Sequence, residues 1–327
     1  MVKGVIITSH RSVSLNKVSM DIKEVLELNG VDVVDVLGYP TADPTVYRDL
    51  DFAITVMTFD PAWVVPYVYV HRMLSTRGKK SLFYTTVEGR LVKGLSDQWM
   101  YRDCEYIANS KYTLKMLASA GAKVKEVIYH GVNVEEIQGF SWLRGMVRER
   151  LGVSDNDFLV GYIAGGYMRK GHELFNEVIK RVASKDSSIK FVVLTDQNGA
   201  KKYGSSENLI LVSEFGELGK DDIYGLYHAL DLYVQASLSE GFGLPVLEAL
   251  AAGKLVVHPD YNPLSEITSK DTSVRVPVIS KVYKRELGAI EYELHYYNPD
   301  ALADAIIEAK EKVLSDPDDV SKRCIER

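Results

Sequence analysis

Apolar residues come in short runs, and each run is followed by a stretch with helical spacing. Residues 4–8 form the first run, and the polar text Ser9-His10-Arg11-Ser12 follows it. The pattern predicts a helix over 16–28 and strands over 31–37 and 51–57. It then predicts a helix over 61–74, strands over 80–85 and 106–108, a helix over 111–120 stopped by Gly121, and a strand over 124–128. A second series begins after residue 150. Strands are expected over 158–164, 189–194, 209–212, 232–235 and 255–258, and helices over 171–184, 220–229, 246–252 and 299–314. Short apolar strands alternating with amphipathic helices imply parallel sheets covered by helices on both faces. Two such series imply an α/β protein of two doubly wound, Rossmann-like domains.

The break between the series lies near 133–155, where charged residues 144–150 and the turn-forming Ser154-Asp155-Asn156-Asp157 cluster. Domains are therefore expected over 1–145 and 146–304. In open α/β sheets, ligands bind beyond the carboxyl ends of the strands. That singles out residues 8–14, 57–62, 86–90, 130–133, 165–171, 195–199, 213–217 and 236–244, with Phe215 among them.

The chain has 327 residues, 46% hydrophobic and 26% charged, which fits two folded domains and excludes disorder as the main state. No run approaches the ~18–20 apolar residues of a membrane-spanning helix. The opening run is too short for a secretory signal. Two cysteines, Cys104 and Cys324, are too few for a disulfide scaffold, so the cytoplasm is the expected compartment. A net charge of −6 speaks against a nucleic-acid binder. The charge is uneven, however: residues 71–125 hold 11 basic and four acidic residues. That flank reads first as a solvated helical face. Together with the aromatic stripe Trp63 to Tyr69 it also makes a candidate for peripheral membrane contact.

The densest chemistry lies in residues 237–253, Ser-Leu-Ser-Glu-Gly-Phe-Gly-Leu-Pro-Val-Leu-Glu-Ala-Leu-Ala-Ala-Gly. A strand ends just before, a glycine-containing loop follows, and a helix opens near Pro245. Proline in the first helical turn is pre-organised. The free N–H groups there suit a phosphate. Gly241 and Gly243 let the backbone approach a ligand. Of Glu240 and Glu248, one could face a sugar and the other a ribose. The bland alternative makes Glu240 a helix cap and Glu248 a surface residue.

The segment Glu240-Gly-Phe-Gly-Leu-Pro-Val-Leu-Glu248 resembles the Glu-x7-Glu signature of retaining glycosyltransferases of family 4, which have the GT-B fold of two Rossmann-like domains facing across a cleft. The flanking text is similar as well: Leu226 to Ser237, Asn109 to Thr113, Tyr129 to Asn133, and Tyr167-Met-Arg-Lys-Gly171. The resemblance implies transfer of a hexose from a UDP- or GDP-sugar to an acceptor hydroxyl, without a metal or cofactor. Glu240 would bind hydroxyls of the transferred sugar. Amides of Phe242, Gly243 and Leu244 would meet sugar and pyrophosphate, with Gly165, Gly166 and Gly241 lining the site. Glu248 would hold the ribose, and Lys170 would neutralise the leaving diphosphate. It further implies a terminal helix, about 305–327, that joins the N-terminal acceptor-binding domain. The acceptor is left open among saccharide, lipid and protein-linked glycan.

The chain departs from that family in three places. Gly165 stands where an arginine is usual, and Arg169 is the substitute charge. Thr8 to Ser14 replaces a glycine-rich loop, which makes His10, Arg11 and Ser12 candidates at the strand end. Glu88, in Tyr84-Thr-Thr-Val-Glu-Gly89, stands near the usual catalytic-site histidine; the bland alternative pairs it with Arg90. His130 is either a hinge residue lining the cleft or a satisfied buried histidine. Two further readings keep the same fold, a sugar-nucleotide epimerase and a non-catalytic nucleotide-sugar-binding protein. A pyridoxal-phosphate phosphorylase finds no motif. Neither do a P-loop nucleotidase, a serine hydrolase or a histidine metal site. Asp49-Leu-Asp51 lies at the wrong end of a strand for metal–nucleotide work.

Overall fold

The computed structural model describes residues 2–9, 12–92, 99–286 and 288–327. The chain forms two compact units, one of Met1–His130 with Tyr283–Glu293, the other of Gly131–Val282 with Leu294–Arg327.

The first unit contains β1 (Lys3–Ile7), β2 (Asp32–Leu37), β3 (Phe52–Thr58), β4 (Lys80–Thr86), β5 (Gly89–Leu91), β6 (Glu105–Ala108) and β7 (Lys123–Val127). Six of these make a sheet in the order β2-β1-β3-β4-β6-β7, and its pairings are parallel. Gly4 is dictated by close approach, because a Cβ there would lie 2.0 Å from the ring of Phe52. The core is aromatic: Phe59 meets Tyr101 edge-on at 5.3 Å, beside Phe83, Tyr106 and Leu117. Of the helices, Val13–Leu28 starts at Ser12, whose hydroxyl accepts from the Leu15 N–H, and Lys111–Ser119 is capped likewise by Ser110. The helix expected over 61–74 begins later, at Val65. Residues 61–64 form a turn instead, with Asp60 accepting from Ala62, Trp63 and Val64.

The second unit is built on β8 (Phe158–Ile163), β9 (Ile189–Leu194), β10 (Leu209–Val212), β11 (Leu232–Val234), β12 (Val256–Pro259) and β13 (Ser273–Val276). They pair in parallel in the order β10-β9-β8-β11-β12-β13. β8 is buried along its whole length, as a central parallel strand with helices on both faces must be. Gly161 in it leaves room for Leu230, whose Cδ1 would lie 2.3 Å from a Cβ there.

The division falls at His130/Gly131, whereas the sequence pattern placed it near 145. Residues 144–150 are not a linker but a helix anchored to the second sheet. Arg144 and Arg148 both bind Asp231 and the carbonyls at the end of the helix Lys220–Ala229. The terminal helices Pro299–Ser315 and Pro317–Ile325 belong to the second unit. The segment that returns to the first is Tyr283–Glu293. It is part of β14 (Val278–Lys284) and β15 (Ile290–Tyr297), and β15 runs antiparallel to β5 with Ile290 opposite Leu91. Neither strand was expected. β14 is exposed nearly throughout, so it has no apolar alternation, and β15 buries Glu293 and His295 where apolar residues would mark a strand.

Candidate active site

In the second sheet β8 and β11 are neighbours, and the chain leaves them toward opposite edges. That is the switch point at which a doubly wound sheet opens a crevice beyond its strand ends. Two loops meet there, residues 164–171 after β8 and 235–243 after β11. The first closes in a single 3-10 turn, Met168–Lys170, and Gly171, with φ of 67°, hands the chain to the helix His172–Lys185. The loops are sewn together by Leu238 N–H donating to Arg169 O at 2.8 Å and by Tyr162, whose hydroxyl lies against Lys170 O and Ser237 Oγ. A side chain at Gly171 would stand 3.0 Å from Ala236 O.

This seam brings Lys170 to Glu240. Nζ lies 2.6 Å from Oε1, and the Glu240 side chain is 6% exposed. Arg169 stands 3.8 Å from Oε2. Gln235, at the end of β11, donates to Oε1 at 2.6 Å. Burial pushes the Glu240 carboxyl up, but Lys170 and then Arg169 outweigh it, and the group is held below the usual glutamate range. Glu240 is thus an ionised carboxylate in a buried cationic setting, not a helix cap; the cap position is Gly243.

The carbonyls of residues 236–239 are each held. Tyr297 donates to Ala236 O at 3.2 Å and Tyr261 to Ser237 O at 2.8 Å. His295 N–H donates to Leu238 O at 2.7 Å, and Arg169 approaches Ser239 O at 3.4 Å. The His295 and Tyr261 rings stack in parallel, 4.2 Å apart. Sequence reasoning missed these supports. Gln235 was the one visible signal, a polar residue directly after the apolar Leu-Tyr-Val of β11.

Gly243, with φ of 106°, opens the helix Leu244–Ala251, and Pro245 sits in its first turn. Glu248 lies one turn in. It is not a surface residue: it is 7% exposed, and the fully buried Tyr227 donates to its Oε2 at 2.9 Å. Gly241 and Phe242, which follow Glu240 in the chain, are buried. Gly165 has its carbonyl 2.9 Å from His172 Nε2 and is flanked by Tyr167 and the half-buried Phe215. The Gly166 N–H donates to Asp196 Oδ2 at 2.7 Å, and a Cβ there would collide with the same carboxylate at 2.3 Å. Gly166 therefore fits the loop to the residues after β9.

The remaining expected residues belong to the first unit. Ser12 caps a helix. His130 is 9% exposed with Nε2 3.2 Å from Asp21. Glu88 is half-buried in the turn between β4 and β5. Arg90 reaches Glu291 at 2.9 Å and lies 3.5 Å over the Tyr283 ring. His10 and Arg11 lie outside the described residues. Among the described residues no three His, Cys, Asp or Glu converge as a metal set, and no helix is long and apolar enough to cross a membrane.

Residues 146–327, more than half of the chain, match the family model described as "Glycosyl transferases group 1". A relative named "Uncharacterized glycosyltransferase 335", from Sulfolobus islandicus rod-shaped virus 1, is 30% identical over 322 residues, covering 94% of this chain and 91% of that protein. A glycosyltransferase from Rickettsia africae superposes with a TM-score of 0.74 at 15% identity, over 99% of this chain and 91% of its own. Anabaena Alr3699/HepE, solved in complex with UDP, gives 0.69 at 15% identity, over 99% and 93%. Two parallel-sheet, Rossmann-like domains and these neighbours establish the GT-B fold. With its Glu240–Lys170 seam and the buried Glu248 inside the matched region, the chain belongs to the family of glycosyl transferases group 1.

Proposed function

We propose that the protein is a retaining glycosyltransferase of the family 4 type, moving a hexose from a nucleoside-diphosphate sugar to an acceptor hydroxyl without a metal. The observation that carries this is the buried Lys170–Glu240 pair at the switch point, with Glu248 on the helix that follows. Lys170 and Arg169 supply fixed positive charge for a leaving diphosphate, the step at which stabilisation matters most. Glu240 is ionised and accepts sugar hydroxyls, and Glu248 accepts from the ribose. Glu240 Oε1 is already committed to Lys170 and Gln235, which fits a hydroxyl-binding role better than a covalent nucleophile. The departing phosphate then takes the acceptor proton on the same face, so the anomeric configuration is kept. The UDP held by Anabaena HepE makes a uridine donor the first to test, with guanosine next. The first unit takes the acceptor, with Glu88 at a strand end suited to orient it, and the basic flank makes a lipid-linked acceptor at a membrane surface the first class to try.

The test is a thermal-shift titration with UDP, GDP, ADP and TDP and their sugars, in EDTA. A ligand that binds only the folded chain raises its melting temperature. A selective rise that disappears in Glu248→Ala and Lys170→Ala is expected. No rise with any nucleotide would remove the transferase reading in favour of a scaffold without donor binding.

A further inference from the structure

Gln235 is fully buried, at a strand end where an apolar side chain is the ordinary choice. A buried amide must find partners, and this one finds three. Its Nε2 donates to Glu240 Oε1 at 2.6 Å and to Ser237 Oγ at 2.9 Å, and its Oε1 accepts from Tyr233 at 2.8 Å. Turning the amide over would set its oxygen against the ionised carboxylate, so the orientation is fixed by charge. Tyr233 is itself fully buried in β11, which roots the amide in the sheet.

Lys170 shares the same carboxylate oxygen. A lysine on a flexible stem supplies charge without direction. A diphosphate arriving at Lys170 would also compete with Glu240 for that charge, and Glu240 Oε1 would then keep the neutral amide of Gln235, while Arg169 stays 3.8 Å from Oε2. We infer that Gln235 is a positioning residue that holds Glu240 Oε1 when Lys170 turns to phosphate, leaving Oε2 aimed at the transferred sugar. The inference rests on the donor-site reading above. It concerns the sugar half of the donor and not the nucleotide half.

The experiment measures binding of UDP against UDP-glucose, and of GDP against GDP-mannose, by calorimetry. The proteins are the wild type, Gln235→Leu and Gln235→Glu, each checked for folding by its melting transition. Loss of one hydrogen bond to a charged group should weaken sugar-nucleotide binding about tenfold in Gln235→Leu, with the bare nucleotide within about twofold. In Gln235→Glu the new acid shares a proton with Glu240 and then donates as the amide does. Its sugar-nucleotide affinity should be close to wild type at about pH 5.5 and fall about tenfold by about pH 8, with the bare nucleotide unmoved. If Gln235→Leu fails to fold, that pH dependence alone decides. Equal weakening of both ligands, or a flat profile in Gln235→Glu, would make Gln235 a packing residue and overturn the inference alone. A wild type that binds none of the four ligands, nor ADP or TDP, would overturn the donor reading, and this inference with it.

Discussion

Lys170 Nζ and Glu240 Oε1 stand 2.6 Å apart, brought together from loops that leave neighbouring strands β8 and β11. Both side chains are largely enclosed, at 13% and 6% exposure. Breaking a buried pair by removing one partner strands a charge, at a cost of about 3–5 kcal/mol. Arg169 offsets part of that at Glu240, so Lys170→Met should lose about 3 kcal/mol of unfolding free energy. The double variant Lys170→Met/Glu240→Gln should recover much of the loss. Urea unfolding of the four proteins gives the coupling directly. Additive losses would mean that the pair contributes no coupling.

The same pair predicts a pH dependence. The folded carboxyl of Glu240 lies below its ordinary value of 4.5, because Lys170 and Arg169 outweigh the effect of burial. A carboxyl depressed on folding adds stability above its unfolded pKa and loses it as pH falls through the folded one. The stability difference between wild type and Glu240→Gln should therefore hold constant from about pH 7 to about pH 5 and shrink below about pH 4.5. A difference that grows on acidification would reverse the sign assigned to Glu240.

The sequence made much of this architecture legible, because parallel strands buried on both faces read as plain apolar runs. The strands over 189–194 and 209–212 fall where the pattern put them. Glu240 and Glu248 stood out in the sequence because glycines and a proline frame their segment, whereas Lys170 stood out only through the resemblance to family 4. What stayed hidden was held by long-range pairing. Arg144 and Arg148 looked like a charged linker until Asp231, over 80 residues away, explained them. His295 and Tyr297 lie in a stretch where the pattern predicted no element, yet they hold the carbonyls of residues 238 and 236. No local pattern announces a partner that far along the chain.

Glu248 depends on a hydroxyl that never reaches solvent. Tyr227 is fully buried and donates to Glu248 Oε2 at 2.9 Å. Tyr227→Phe keeps the ring and removes the donor, which should cost about 1–3 kcal/mol of stability. If Glu248 binds the ribose, the same change should weaken nucleoside-diphosphate binding about tenfold by calorimetry. Stability lost with nucleotide affinity intact would separate Glu248 from the ribose.

Two glycines predict opposite outcomes for the same substitution. Gly243 has φ of 106°, and a Cβ there would sit 2.7 Å from Leu264 Cδ2. Gly243→Ala should lose about 1–3 kcal/mol to backbone strain, with more from the clash, and displace the start of the helix Leu244–Ala251. Gly145 lies in the helix Arg144–Arg150 with nothing within 4 Å of an added Cβ. Gly145→Ala should gain about 0.5–1 kcal/mol from helix propensity. Melting temperatures of the two variants test the contrast, and only the first should lose its response to nucleotide.

Lys254 supplies a second pH signature, away from the seam. Its ammonium donates to His228 O at 3.1 Å. Burial, with Arg144 and Arg148 adding to it and Asp231 opposing, pushes its pKa down from 10.5 to about 7. Between those values the unfolded chain binds a proton that the folded chain does not, so this group makes stability rise with pH across the window. Below about pH 7 both states are charged and the folded state bears the full penalty. Lys254→Met removes the titration and keeps the stem. Relative to wild type, the variant should be most favoured at about pH 6 and lose that advantage steadily toward about pH 10. The buried thiol Cys104, pushed up to about 12, acts equally on both proteins and cancels in the difference, whereas Cys324 is coupled to Lys254 itself, so both proteins carry Cys324→Ala for the comparison. Parallel stability profiles for the two proteins would mean that Lys254 stays charged in the folded state and sets no pH dependence.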